Sequence, residues 1–134
     1  MVDPGEFDVV LLDSIESNSF NITTVLVTHN HERHIRELKT LKKIYDVRII
    51  SGDEETGDSE SAAVGDRIEA SGISIKILDL EERLTRSKIF RIGNLLFTGN
   101  ILSAGRIGNS ISSEKRALLM ADIRRKSWQY LKTF

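Results

Sequence analysis

Near Val64 the hydrophobic rhythm of this chain changes, and the change separates two kinds of structure. From Val64 onward the period is two. Val64 to Ala70 and Ile73 to Leu78 alternate apolar and polar residues, and Ala70-Ser71-Gly72 supplies a tight turn, so the pattern predicts a hairpin. Ser87 to Ile92 and Leu95 to Thr98 predict a second hairpin. Their link, Gly93-Asn94, suits the positive φ of a two-residue turn. Leu80 to Arg86 connects the two hairpins.

Upstream of Val64 the pattern is strand, helix, strand. Ile22 to Thr28 is a nearly continuous apolar and β-branched run, the mark of a buried strand. Arg33 to Tyr45 predicts a helix with Ile35, Leu38, Leu41 and Ile44 as its apolar stripe and Lys39, Lys42 and Lys43 off it. Val47 to Ser51 predicts a short strand. Before these, Phe7 to Ile15 has the spacing of a short amphipathic helix. Val2-Asp3-Pro4-Gly5 reads as a strand end passing into a turn, because proline cannot continue a central strand and glycine accepts positive φ. After the hairpins, 99–108 is a glycine-rich loop without P-loop or GxGxxG spacing, and Ser112 to Phe134 predicts a long helix capped by Ser112 or Ser113. The class is therefore α/β in the broad sense, with α+β character.

Composition narrows what such a chain can do. Its 134 residues, 40% of them apolar, predict one domain over 1–134 with a real core. The absence of cysteine excludes disulfides, thiolate zinc sites and thiol catalysis. A formal charge of −1 and few aromatics argue against nucleic acid as a partner. No apolar run approaches a membrane span and the first residues do not resemble a signal peptide, so a cytoplasmic protein is the expectation. The acidic stretch with Asp53, Glu54, Glu55, Asp58 and Glu60 does not match an EF-hand and reads as an exposed loop. Arg124-Arg125-Lys126 reads as a solvated helix face.

All three histidines fall within Thr28-His29-Asn30-His31-Glu32-Arg33-His34, directly after the buried strand. Chemistry in α/β proteins gathers at the C-terminal ends of strands. Imidazoles at i, i+2 and i+5 suit convergence on one zinc, iron or manganese ion. The same residues also suit a solvated turn before a basic helix, and spacing alone leaves both readings open.

Taken together, these segments resemble the metallo-β-lactamase fold hydrolases. Val2-Asp3-Pro4-Gly5 is similar to that family's DPG strand end. Val25 to His34 is similar to its THxHxDH motif, and Asn94 to Leu102 to its LFTGDxL motif. The final helix is similar to the one before its PGHG segment. The resemblance implies an αββα sandwich of two mixed β-sheets with outer helices, here truncated: it lacks the usual first strands and the C-terminal PGHG segment. It implies metal ligands at His29, His31 and His34. It also implies substituted ligand positions: Arg33 for an aspartate, Asn100 for the metal-bridging aspartate, and Arg83 near a lost histidine, with Glu81 or Glu82 as a replacement ligand.

Two of the substitutions share one physical logic. A guanidinium stays cationic and does not coordinate metal. An amide in place of a bridging carboxylate removes charge that would hold two dications together. Two expectations follow. The first is an impaired metal site in a non-catalytic binding or regulatory module, acting as a homo-oligomer or with a partner subunit over an incomplete sheet. The second is a mononuclear metal-dependent hydrolase of an ester, thioester or phosphoester. The cofactor is accordingly none or one divalent ion.

Overall fold

Strand β1 (Thr24–Val27) is buried along its whole length, and the alternation of its side chains sets the layers of the molecule. Val25 and Val27 point to one side, where they pack with Leu38 and Leu41 of helix α2 (Glu32–Tyr45), with Val47, and with Ile49 of strand β2 (Arg48–Ser51). Leu26 points to the other side and meets Ile50, Ile75, Ile77 and Phe90. A strand covered on both faces must be apolar at every position, which is what the run after Ile22 encodes. The computed structural model describes residues 1–29, 32–51, 59–61, 65–78, 88–99, 101–103, 106–107, 112–114, 117–118, 120–121 and 124–125, with backbone alone for 32–36, 61, 102–103 and 106–107.

The first sheet is parallel. β1 pairs with β2, and β2 with the two-residue strand β3 (Glu60–Ser61). β3 lies inside the stretch expected to be loop. It earns its place through the pairing of Ile50 with Glu60 and through a bidentate contact of Arg48 Nε and Nη2 with the Glu60 carboxylate, 2.9 and 2.6 Å long. On the far edge of β1, Met1 and Asp3 continue the ladder. Leu26 N donates to Met1 O and Asp3 N donates to Leu26 O, each at 2.9 Å.

The second sheet is the antiparallel meander expected from the period of two: β4 (Arg67–Ala70), β5 (Ile73–Leu78), β6 (Ile89–Ile92) and β7 (Leu95–Phe97) in sequence order. Ser71 and Gly72 both take positive φ, 52° and 76°, in the β4–β5 turn, as a type I′ connection requires. Its inner residues Ile75, Ile77 and Phe90 close the intersheet core. Phe90 is fully buried there, and burying such a ring stabilises by roughly 1.5–3 kcal/mol. The architecture is the layered α/β sandwich that the resemblance implied, but among the described residues its two larger sheets are one parallel and one antiparallel rather than mixed.

Helix α1 (Val9–Ser17) begins where Asp8 accepts from Leu11 N at 2.9 Å, a standard N-cap. It is joined to α2 by the hydrogen bond of Tyr45 Oη to Glu16. Two local expectations need correction. Ile44 does not belong to the α2 stripe, for it is 51% exposed, and Tyr45 packs against the core instead. Strict spacing of three turns the helix 60° backward at each step, so a stripe must alternate three and four, as Leu38, Leu41 and Tyr45 do. In addition, the glycine-rich stretch after Asn100 is not all loop: Leu102–Ser103 (β8) and Arg106–Ile107 (β9) pair antiparallel. The expected final helix is helical at its described positions 113–114, 117–118, 120–121 and 124–125. Among the described residues no helix is long and apolar enough to cross a membrane.

Candidate active site

The site forms where the C-terminal end of β1 meets three segments far away in sequence. Thr28, 1% exposed, follows β1 directly. Its N–H donates to Asp3 Oδ1 at 2.8 Å, and its hydroxyl donates to Asp3 Oδ2 at 2.6 Å. Asp3, whose φ of 41° turns the chain off the ladder, thus supplies from its side chain the acceptor that the next main-chain carbonyl would give in a continued strand. On its other side, Thr28 O accepts from Lys88 N, just before β6, at 2.8 Å. Thr28 Oγ1 also lies 2.8 Å from Nδ1 of the partly buried His29.

The third segment is the turn after β7. Gly99, with φ 56°, presses its backbone onto Thr28. A Cβ there would overlap Thr28 Oγ1, and would stand 2.8 Å from Thr28 Cβ and 3.2 Å from His29 Nδ1. Only glycine accepts both this φ and this approach. Thr28 and His29 belong to the first of the two sequence motifs and Gly99 to the second, so these parts of the two motifs come together at one sandwich edge. The DPG segment joins them through Asp3.

The expected site residues are distributed as follows. His29 is at the junction just described. Arg33 and His34 lie in the first turn of α2, described by backbone only. His31, Asn100, Glu81, Glu82 and Arg83 lie outside the described residues, as does most of the acidic stretch. Among the described residues, no three His, Cys, Asp or Glu side chains group as a metal site. Sequence reasoning singled out Asp3 and Gly99 as motif members but not as parts of the site, and it gave Thr28 no role. The signal was available for Gly99, a glycine directly after a strand, where a positive φ is to be expected. The Asp3–Thr28 pairing has no local signal, because its partners are 25 residues apart.

At the opposite end of the sandwich a cavity of about 220 Å³ opens between the sheets, lined by residues such as Ile22, Leu26, Ile75 and Ile92. It contains no acidic, basic or imidazole side chain, so this cavity and the chemistry-bearing edge are separate places. Thr23 Oγ1 and Ser71 Oγ, 2.6 Å apart, join the two sheets at this end.

Comparison with known proteins agrees with this fold. The chain is similar to hydroxyacylglutathione hydrolase of Klebsiella pneumoniae, with 29% identity over 111 residues, 81% of this chain and 44% of that protein. It is similar to the Stenotrophomonas maltophilia protein of the same name, with 29% identity over 127 residues, 90% of this chain and 49% of that one. An uncharacterized Treponema pallidum protein is 25% identical over 105 residues, 78% of this chain and 59% of its own. The chain thus spans about half the length of these curated relatives. Among solved structures, ETHE1 from Myxococcus xanthus superposes with a TM-score of 0.72 at 20% identity, over 92% of this chain and 56% of that one. The BLEG-1 B3 metallo-β-lactamase superposes with a TM-score of 0.70 at 15% identity, over 93% and 72%. No family model matches the chain.

Proposed function

Taking the chain as a member of the metallo-β-lactamase fold superfamily, we propose that it is a single-metal hydrolase acting on a thioester or a related ester. The observation that carries this reading is the convergence of three segments, around Asp3, His29 and Gly99, at one edge of the sandwich. The name of the curated relatives, hydroxyacylglutathione hydrolase, favours a thioester over a phosphoester.

The donor chemistry fits one divalent ion better than two. His29 is an imidazole already oriented by its contact with Thr28, and His31 follows two residues later. Glu81 or Glu82 is the candidate third ligand. Arg33 and Asn100 stand where a binuclear centre would need carboxylates, so charge balance disfavours a second dication. An ion so held supplies Lewis-acid activation of water and of the scissile carbonyl. The protein's own part is to hold His29 rigidly between Thr28 and the Gly99 turn, so that ligand geometry does not relax.

The test is metal content by elemental mass spectrometry on untagged protein, with hydrolysis of a hydroxyacylglutathione thioester measured on the same sample. About one zinc, iron or manganese per chain, with turnover, and loss of both in His29→Ala, is the expected result. No metal uptake even in excess zinc would refute it.

A second reading, the non-catalytic module that binds a copy of itself or another subunit, draws on different observations. Arg33 stands between His31 and His34 in the sequence, and Leu95 and Leu96 of β7 are 63% and 43% exposed. A metal-free protein that sediments as a stable dimer, and as a monomer after Leu95→Ser with Leu96→Ser, is what the self-binding form of this reading requires. A metal-free monomer would exclude that form and leave only the one that binds another subunit.

A further inference from the structure

We propose that Asp3 is a positioning residue that fixes the tautomer of His29 through Thr28, holding the ring proton on Nδ1 and leaving the lone pair on Nε2. Thr28 Oγ1 has one hydrogen and gives it to Asp3 Oδ2, 2.6 Å away. The Asp3 carboxylate has none to return. The contact of 2.8 Å between Thr28 Oγ1 and His29 Nδ1 must then be made with the imidazole as donor. In the neutral ring, a proton on Nδ1 means a lone pair on Nε2, the form in which a histidine coordinates metal through that atom.

The surrounding structure holds this arrangement in place. Asp3 is a non-glycine residue at φ 41°, an unfavourable backbone conformation. It is held there by three hydrogen bonds: its N–H to Leu26 O, Oδ1 from Thr28 N, and Oδ2 from the Thr28 hydroxyl. The Gly99 backbone also stands close against the Thr28 side chain, so near that a Cβ at Gly99 would overlap Thr28 Oγ1. A strained residue whose carboxylate meets both donors of a single buried threonine is organised around that threonine's proton.

This inference assigns a purpose to the tautomer only if His29 is a ligand, and in that sense it rests on the proposed function. Its test does not. Long-range nitrogen–proton NMR on metal-free protein, above the range in which imidazole protonates, reports which ring nitrogen carries hydrogen. The signals of His29 are those lost in His29→Gln. The expected wild-type result is hydrogen on Nδ1.

Asp3→Asn should reverse it. The amide oxygen keeps the Thr28 N–H, the amide nitrogen donates to Thr28 Oγ1, and the displaced hydroxyl proton turns to His29 Nδ1. The ring hydrogen then moves to Nε2, and zinc affinity should fall about 10–100-fold, the usual effect of losing an outer-shell partner. Thr28→Ser keeps the relay and should keep the wild-type tautomer.

Hydrogen on Nε2 in the wild type would overturn the proposal without any variant. So would a folded Asp3→Asn protein that retains the Nδ1 hydrogen. A wild type with hydrogen on Nδ1 but no zinc binding would defeat the single-metal hydrolase and leave the relay standing.

Discussion

Replacing Gly99 with alanine measures how tightly the turn after β7 is pressed against the end of β1. Two costs are expected. At φ 56° any side chain pays the left-handed penalty of about 1–2 kcal/mol. The new Cβ also overlaps Thr28 Oγ1 and stands 2.8 Å from Thr28 Cβ. Relief would require breaking the Thr28–Asp3 bonds or shifting the backbone, and overpacking of this kind costs about 1–3 kcal/mol.

Gly93 separates the two costs. Its φ of 55° is nearly the same, but a Cβ there meets nothing within 4 Å. Gly93→Ala should therefore lose about 1–2 kcal/mol and Gly99→Ala about 2–5 kcal/mol. The assay is equilibrium urea unfolding, with both variants compared at unchanged m. If the two losses agree within about 0.5 kcal/mol, the usual scatter between independent sites, the close approach of Gly99 to Thr28 is refuted. The convergence on which the proposed function stands would then fail with it.

Further expectations are accessible to the same measurement. Leu41→Ala, at a fully buried position, should cost about 2–5 kcal/mol, whereas Ile44→Ala, half exposed, should stay below about 1 kcal/mol; equal losses would reinstate Ile44 in the stripe. Asp8→Ala removes the α1 N-cap and should cost about 1 kcal/mol, with Asp8→Asn close to wild type. The hydrogen bond and charge of Arg48 hold the Glu60 carboxyl below its usual range. Its stabilising effect is therefore present above the unfolded-state value and disappears as pH falls through the lower folded value. Both side chains are solvent-accessible, so Arg48→Gln should lose only about 0.2–1 kcal/mol at pH 7. The loss should shrink toward zero in strong acid and in high salt, and a loss independent of both would show that packing, not charge, is at work.

Much of the fold is readable residue by residue. A strand buried on two faces needs Val25, Leu26 and Val27 in unbroken succession, and a strand with one covered face needs the alternation of Ile73 to Leu78. The β4–β5 turn needs residues that tolerate positive φ, and Ser71-Gly72 provides them. The errors have the same local origin. Ile44 looked like core because spacing by three was counted without the 100° advance per residue. The strand β3 was missed because an edge strand of two polar residues, Glu60 and Ser61, has no hydrophobic period to detect.

By itself, then, the sequence determined the longer elements and, Ile44 aside, which face of each is apolar, since both follow from backbone sterics and side-chain periodicity within a few residues. It also marked His29, His31 and His34 as a cluster, because they are neighbours along the chain. Only the tertiary structure decided that Asp3, Thr28, Lys88 and Gly99 meet. Their proximity comes from stacking two sheets through Leu26, Ile50, Ile75, Ile77 and Phe90, a nonlocal burial that no single segment encodes. The direction of the proton between Asp3 and His29 depends on that meeting, because a hydroxyl with one hydrogen takes its orientation from whichever acceptor the fold brings to it.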